Sequence, residues 1–94
     1  MFVNFTASWS VTCQVNERVA LSSQNVAAAF RRSNAAYLEG DWTDRNAEIA
    51  SALSAQGRAG VPLYLVYPAH GGPPKVLPQL LTPDTVIKAI EAAG

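Results

Sequence analysis

Short apolar runs alternate along the chain with longer stretches in which apolar residues recur every three or four positions. The runs over residues 2–6, 37–42 and 61–67 predict three β-strands. Residues 75–77 predict a short fourth strand, because the cluster His70-Gly71-Gly72-Pro73-Pro74 before them is typical of a turn. The last two strands should therefore form a hairpin.

Two helical stretches are predicted between the first two strands. Ser10 is expected to begin the first, since a serine hydroxyl accepts a hydrogen bond from an unpaired backbone N–H at a helix start. A break is predicted at residues 22–23. The apolar positions at helical spacing are Val11, Val15 and Val19 in the first stretch, and Val26, Ala29 and Phe30 in the second.

Two further helices have recognisable ends. Thr43 is predicted to cap one and Gly57 to end it. Thr82-Pro83-Asp84 predicts the start of the last helix, with a cap, a first-turn proline and an acid at the positive helix end, and Gly94 ends it. The residues expected to face the core are Ile49, Ala50 and Leu53, then Val86, Ile87 and Ile90.

The predicted element order is β-α-β-α-β-β-α. A β-α-β unit requires two parallel strands joined by a right-handed crossover, and the final hairpin adds antiparallel strands. These elements predict an α/β fold with a mixed four-stranded sheet and helices on both faces.

Composition narrows the function classes. Ninety-four residues, 49% of them hydrophobic, suit one globular domain. Seven basic and seven acidic residues cancel without forming a basic stripe, so nucleic-acid binding has little support. The apolar runs are too short to span a bilayer, and no signal peptide pattern is present. Because the chain opens inside a strand, we expect residues 1–94 to be a single domain from a longer protein.

Candidate chemistry lies in W-S-V-T-C, residues 9–13, between the first strand and the first helix. A redox motif at this place would be Cys-x-x-Cys, but Ser10 occupies the first position and Cys13 is the only cysteine. The serine hydroxyl needs a strong general base to attack, and no serine–histidine arrangement is visible. Cys13 has two interpretations, a former resolving thiol or a small buried apolar residue, and we favour the first.

Three ordered segments carry a resemblance to a known family. Residues 5–17, 41–43 and 57–64 resemble the C-terminal thioredoxin-like domain of DsbD, a membrane thiol:disulfide interchange protein. Similarity extends from Phe2 to the last helix and implies a thioredoxin-like minimal core, without the extra strand and helix that precede it in many thioredoxins. The resemblance also implies protein-disulfide reductase activity without a cofactor, on the periplasmic side of the bacterial inner membrane. Its protein thiol partners would be other domains of DsbD, which carry electrons for processes such as cytochrome c biogenesis.

The resemblance implies a role for individual residues. Ser10 stands at the position of the nucleophilic cysteine, and Cys13 matches the resolving thiol. Pro62 matches a cis-proline that follows Val61 and helps the backbone pair with a bound partner. Glu17 matches an acid that tunes the thiols. The chain departs from the family at Ser10 and also at Ser8, where related sequences often carry an acid. Trp9 lines the partner surface or covers the core.

Three functions remain open at this point. The chain is a DsbD-type oxidoreductase domain disabled by Ser10, whether natural or engineered, or a natural redox-dead module that binds extended peptides. A glutathione-binding domain ranks last, because the helical second domain of glutathione transferases is missing. His70 is expected to be solvated, and one histidine with one cysteine makes no convincing metal site.

Overall fold

The computed structural model describes all 94 residues as one α/β unit. Its elements are β1 (Phe2–Thr6), α1 (Val11–Asn16), α2 (Gln24–Ser33), β2 (Tyr37–Asp41), α3 (Ala47–Ala55), β3 (Leu63–Val66), β4 (Lys75–Val76) and α4 (Pro83–Ala93). A π-helical segment, Glu17–Leu21, continues α1 up to the break at residues 22–23. None of the helices combines the length and the hydrophobicity that a membrane span requires.

The sheet has the strand order β2-β1-β3-β4. Strand β1 runs parallel to β2 and antiparallel to β3, and β4 runs antiparallel to β3. This mixed four-stranded sheet and the β-α-β unit within it confirm the predicted architecture. Strands β3 and β4 are each shorter than predicted. The paired residues of β1 and β3 extend only from Phe5–Leu63 to Phe2–Val66, and β4 forms only two pairs with β3.

Side chains that alternate along the strands contribute to two separate hydrophobic cores, one on each face of the sheet. Phe2 of β1, with Tyr64 and Val66 of β3, packs on one face against α2 and α4. Leu63 and Leu65 of β3 point to the other face. There they pack with Trp42 and with Leu53 of α3, while Ile49 and Ala50 lie at the edge of this smaller core. The helices therefore cover both faces, as predicted.

The start of α3 differs from the prediction. Asn46 caps this helix by accepting a hydrogen bond at 3.0 Å from the backbone N–H of Ile49, and the helix begins at Ala47. Thr43 is not the cap, because its hydroxyl is engaged by Asp41 and by the backbone N–H of Ser8. A turn separates Thr43 from the helix, and Arg45 in this turn has a φ of 53°. Gly57, with a φ of 73°, follows the end of α3 as predicted.

The other predicted caps agree with the structure. Ser10 caps α1, and Thr82 caps α4, which has Pro83 in its first turn. Val86 and Ile90 are buried and Ile87 packs beside them. The apolar residues at helical spacing in the first stretch, Val11, Val15 and Val19, are exposed.

Candidate active site

Three segments of the chain meet at one edge of the sheet. Residues 7–13 follow the end of β1, and residues 42–43 follow the end of β2, where Thr6 is paired with Asp41. Phe5 is paired with Leu63 at the start of β3, so Val61 and Pro62 arrive at the same edge. The segments that the sequence singled out are therefore brought together by strand register.

Ser10 and Cys13 occupy the first turn of α1. The hydroxyl of Ser10 accepts a hydrogen bond at 3.2 Å from the backbone N–H of Cys13 and so caps the helix. Ser10 is 8% exposed, whereas Cys13 is 0% exposed and has no cysteine partner. The position that a nucleophile would occupy is thus nearly buried at the helix cap, and the Cys13 thiol is fully buried.

Trp9 is held on the segment that follows β2. Its indole Nε1 donates to the backbone oxygen of Thr43 at 3.0 Å, and its ring centroid is 5.9 Å from that of Trp42. Trp42 is buried and donates through Nε1 to the backbone oxygen of Asn46 at 3.1 Å. Trp9 remains 44% exposed. It therefore both covers Trp42 and offers an aromatic surface beside Ser10.

A polar cleft of about 310 Å³ lies beside these residues. Glu17, Glu39 and Asp41 contribute carboxylates to its lining, and the Glu17 carboxylate accepts a hydrogen bond at 3.2 Å from the Thr6 hydroxyl. The side-chain hydroxyl and then the backbone N–H of Thr43 stabilise the Asp41 carboxylate and lower its pKa. Ser8, also in the lining, presents its backbone oxygen to the Gln14 side chain. No three His, Cys, Asp or Glu side chains are grouped so as to hold a metal ion.

The Val61–Pro62 peptide bond is cis, the isomer expected from the resemblance. Pro62 is buried, and its carbonyl accepts a hydrogen bond at 3.4 Å from the guanidinium of Arg58. Val61 packs against the core around Trp42, while its own backbone N–H and C=O form no backbone hydrogen bond within the chain. A free backbone donor and acceptor therefore lie at the edge that carries Ser10.

The structure adds Asn16 to the site, a residue that the sequence analysis missed. Asn16 is buried one helical turn after Cys13. Its amide Nδ2 donates to the Tyr64 hydroxyl at 2.8 Å and to the Gln79 backbone oxygen at 2.7 Å, and its Oδ1 accepts from the Leu81 backbone N–H at 2.9 Å. A polar residue on the buried side of α1 was the one signal available in the sequence.

The chain is also similar to known proteins in sequence and in structure. Residues 1–69 match a family model described as thioredoxin-like. No curated protein matches the chain. The chain is similar in structure to the DsbD C-terminal domain of Neisseria meningitidis in its reduced form, with a TM-score of 0.78, and in its oxidised form, with a TM-score of 0.80. Both are 22% identical to it, and the alignments cover 100% of this chain and 80% and 79% of those domains. The match over 69 of 94 residues, together with the observed fold, shows that the chain belongs to the thioredoxin-like family.

Proposed function

We propose that this chain is a thiol:disulfide interchange domain of the DsbD type, a protein-disulfide reductase by family, whose nucleophilic cysteine is replaced by Ser10. In this form it does not carry out dithiol exchange. The observation that carries the proposal is the pairing of Ser10 at the helix cap with a buried Cys13 one turn later. The scaffold and the second thiol position remain, and the first sulfur is missing.

Ser10 has no partner that would make it a nucleophile. A serine hydroxyl must lose its proton to a general base as it attacks. His70 follows the C-terminal end of β3, where Val66 is paired with Phe2, so it lies at the opposite edge of the sheet from Ser10. The hydrogen bond that Ser10 accepts from Cys13 is that of a helix cap. We therefore assign Ser10 a structural role in this chain.

Cys13 alone supports only slow chemistry. A disulfide exchange requires a thiolate that can reach the sulfur of a partner. Cys13 is 0% exposed, and no second cysteine exists to complete an internal disulfide. A mixed disulfide would therefore need a local opening of α1, and it would have no internal thiol to resolve it.

A second candidate is a redox-dead module that binds extended protein segments. The surface beside Ser10 favours it, because Val11 is 76% exposed and Trp9 is 44% exposed. Next to them the unpaired backbone of Val61 can add an extended segment by main-chain hydrogen bonds. This surface serves equally as the partner-docking site of an active parent protein.

The partners and compartment in this proposal come from the resemblance. A DsbD-type domain would exchange electrons with other domains of the same protein and would work on the periplasmic side of the inner membrane. We expect the partner to present an extended segment with a cysteine or disulfide. A link to cytochrome c biogenesis belongs to the same proposal.

Reduction of insulin tests the primary proposal. The protein as it stands should give only the background rate of the dithiol reductant, whereas a Ser10→Cys variant should accelerate the reaction at least tenfold. The matched control Ser10→Cys/Cys13→Ser should lose turnover and accumulate mixed disulfide, because nothing resolves it. Equal rates for the unaltered chain and Ser10→Cys would sink the claim that Ser10 disables the site.

The source gene separates the two candidates. A serine codon at position 10 supports a natural binding module, while a cysteine codon excludes it and makes Ser10 a replacement. Peptide binding by the unaltered chain then tests the docking surface, with the tryptophan fluorescence of the exposed Trp9 and the adjoining Trp42 as the signal.

A further inference from the structure

Arg45 is an unpaired cation beside the proposed docking surface. Its guanidinium carbon lies 4.4 Å from the centroid of the Trp9 ring and 5.6 Å from that of Trp42. The ion pairs of the chain join Arg32 to Glu91 and Lys88 to Asp84, so no carboxylate neutralises Arg45. A positive charge thus stands over the exposed indole that adjoins Ser10.

The backbone holds Arg45 in this place. Its N–H donates to the Trp42 backbone oxygen at 2.9 Å, and the next residue, Asn46, caps α3. The φ of 53° at Arg45 lies in the left-handed region, which glycine adopts more easily than any residue with a side chain. If this position served only the turn, glycine would suit it better. A side chain kept in a costly backbone conformation points to a use for that side chain.

The Arg45 guanidinium lies over the Trp9 ring, and its N–H groups make no hydrogen bond within the chain. A guanidinium that packs its face on an aromatic ring still presents its N–H groups in the plane, where they match the two oxygens of a carboxylate. The arginine side chains that donate hydrogen bonds within the chain are Arg32 and Arg58, and Arg45 donates none. Nearby, the Asp41 carboxylate is already engaged by Thr43.

We infer that the patch formed by Trp9, Trp42 and Arg45 recognises a carboxylate on the extended segment that docks beside Ser10. The partner therefore carries an aspartate or glutamate close to the cysteine that reaches this site. Its apolar neighbours would cover Trp9 and Val11, and its carboxylate would pair with Arg45. This inference rests on the proposed function, because it names the partner of that same surface.

Two disulfide probes of opposite charge test the inference on the Ser10→Cys variant in its reduced form. The probes are glutathione disulfide, which carries carboxylates, and cystamine, which carries only ammonium groups. The thiolate at position 10 attacks one probe sulfur and releases one thiol, and the Cys13 thiolate then displaces the second. Two protein thiols are oxidised to a disulfide, and the probe is reduced to two thiols. The measured quantity is the ratio of the two rates.

Arg45→Glu should lower the ratio of the glutathione disulfide rate to the cystamine rate by about tenfold, because it replaces the one positive side chain of the patch with a negative one. Arg45→Lys should keep most of the ratio. Arg31→Glu, which makes the same charge change on the exposed surface of α2, should alter it less than about twofold. Arg45→Gly should lower the ratio without loss of thermal stability, since glycine suits the left-handed backbone. An unchanged ratio in Arg45→Glu would overturn the inference.

A binding measurement on the unaltered chain keeps this inference separate from the proposed redox function. Two peptides, Ala-Val-Glu-Ser-Val-Ala and its Glu→Lys counterpart, are titrated into the chain while the fluorescence of its two tryptophans, Trp9 and Trp42, is followed. Tighter binding of the glutamate peptide, lost in Arg45→Glu, supports the patch even if Ser10→Cys reduces neither probe. Equal binding of the two peptides, or no binding of either, contradicts it.

Discussion

Two asparagine–tyrosine pairs lie on the same side of the sheet, and they differ in what surrounds them. Asn16 donates to the Tyr64 hydroxyl and Asn4 donates to the Tyr37 hydroxyl, both at 2.8 Å. Both asparagines are buried, but Tyr64 is fully buried and Tyr37 is half-exposed. Asn16 uses its donor and acceptor groups in three hydrogen bonds, whereas the Oδ1 atom of Asn4 has no partner.

The difference distinguishes a buried polar side chain whose hydrogen bonds stabilise the fold from one whose acceptor has no partner. Asn16 connects α1, which carries Cys13, to Gln79 and Leu81 before α4. These bonds orient the helix at whose start Ser10 lies. Asn4 holds only the rim of the sheet through Tyr37, and its free oxygen costs desolvation with no compensating bond. Burial alone therefore does not decide how much a polar side chain contributes.

Removal of Asn16 should have the largest effect on stability. Asn16→Ala eliminates two buried hydrogen bonds and one partly buried one, and it leaves the Leu81 N–H and the Gln79 C=O without that partner. We expect the free energy of unfolding to fall by about 3 kcal/mol, roughly 1 kcal/mol for each bond. Urea-induced unfolding measures it, and the exposed Asn25→Ala in α2 is the matched control, with little change expected. A loss as small as that of the control would show that the Asn16 network contributes nothing.

The second-largest effect on stability is expected at high pH. Burial raises the pKa of Tyr64 from its ordinary value of 10.0 to about 12, although the hydrogen bond from Asn16 opposes this rise. Because the folded pKa is above the unfolded one, the stabilisation is complete below pH 10 and is lost as the pH rises through 12. A difference of two pKa units corresponds to on the order of 2–3 kcal/mol.

Unfolding curves collected across that pH range test this expectation. Tyr64→Phe should remove most of the decline in stability between pH 10 and 12. Burial also raises the pKa of Tyr37, but that residue is half-exposed, so Tyr37→Phe should remove less of the decline. If Tyr64→Phe leaves the decline in stability unchanged, groups other than Tyr64 cause it.

The smallest effect is expected at Asn4. Asn4→Leu preserves the approximate volume, removes the unpaired Oδ1, and leaves the hydroxyl of the half-exposed Tyr37 without its Asn4 partner. The free energy of unfolding should change by less than about 1 kcal/mol in either direction. Urea unfolding of Asn4→Leu and Asn16→Ala under the same conditions measures the difference between the two asparagines. Equal destabilisation by the two variants would mean that Asn4 is as well bonded as Asn16.

The sequence predicted the fold where local chemistry is distinctive. The caps Ser10 and Thr82 and the helix-ending Gly57 are confirmed, and the apolar run before Tyr67 forms a strand, although a shorter one than predicted. The predicted start of α3 was wrong, because threonine and asparagine are both good helix caps. Only the tertiary contacts of Thr43 with Ser8 and Asp41 decide between Thr43 and Asn46.

The segments that form the candidate site were predictable from the sequence, but the tertiary contacts that hold them in place were not. Ser10, Cys13 and Pro62 belong to a recognisable pattern, and strand register brings their segments to one edge. Asn16 and Tyr64 are 48 residues apart in sequence, so no local pattern joins them. The position of Arg45 over Trp9 depends on a left-handed turn that an arginine does not suggest.

The redox equilibrium of the Ser10→Cys variant tests most directly whether the scaffold around α1 is intact and lacks only the sulfur at position 10. In a series of glutathione redox buffers, mass spectrometry after acid quenching should show one reversible conversion to an internal disulfide between positions 10 and 13. Stable glutathione adducts at position 10, with no internal disulfide at any ratio, would contradict the claim that this helix turn still holds a dithiol site.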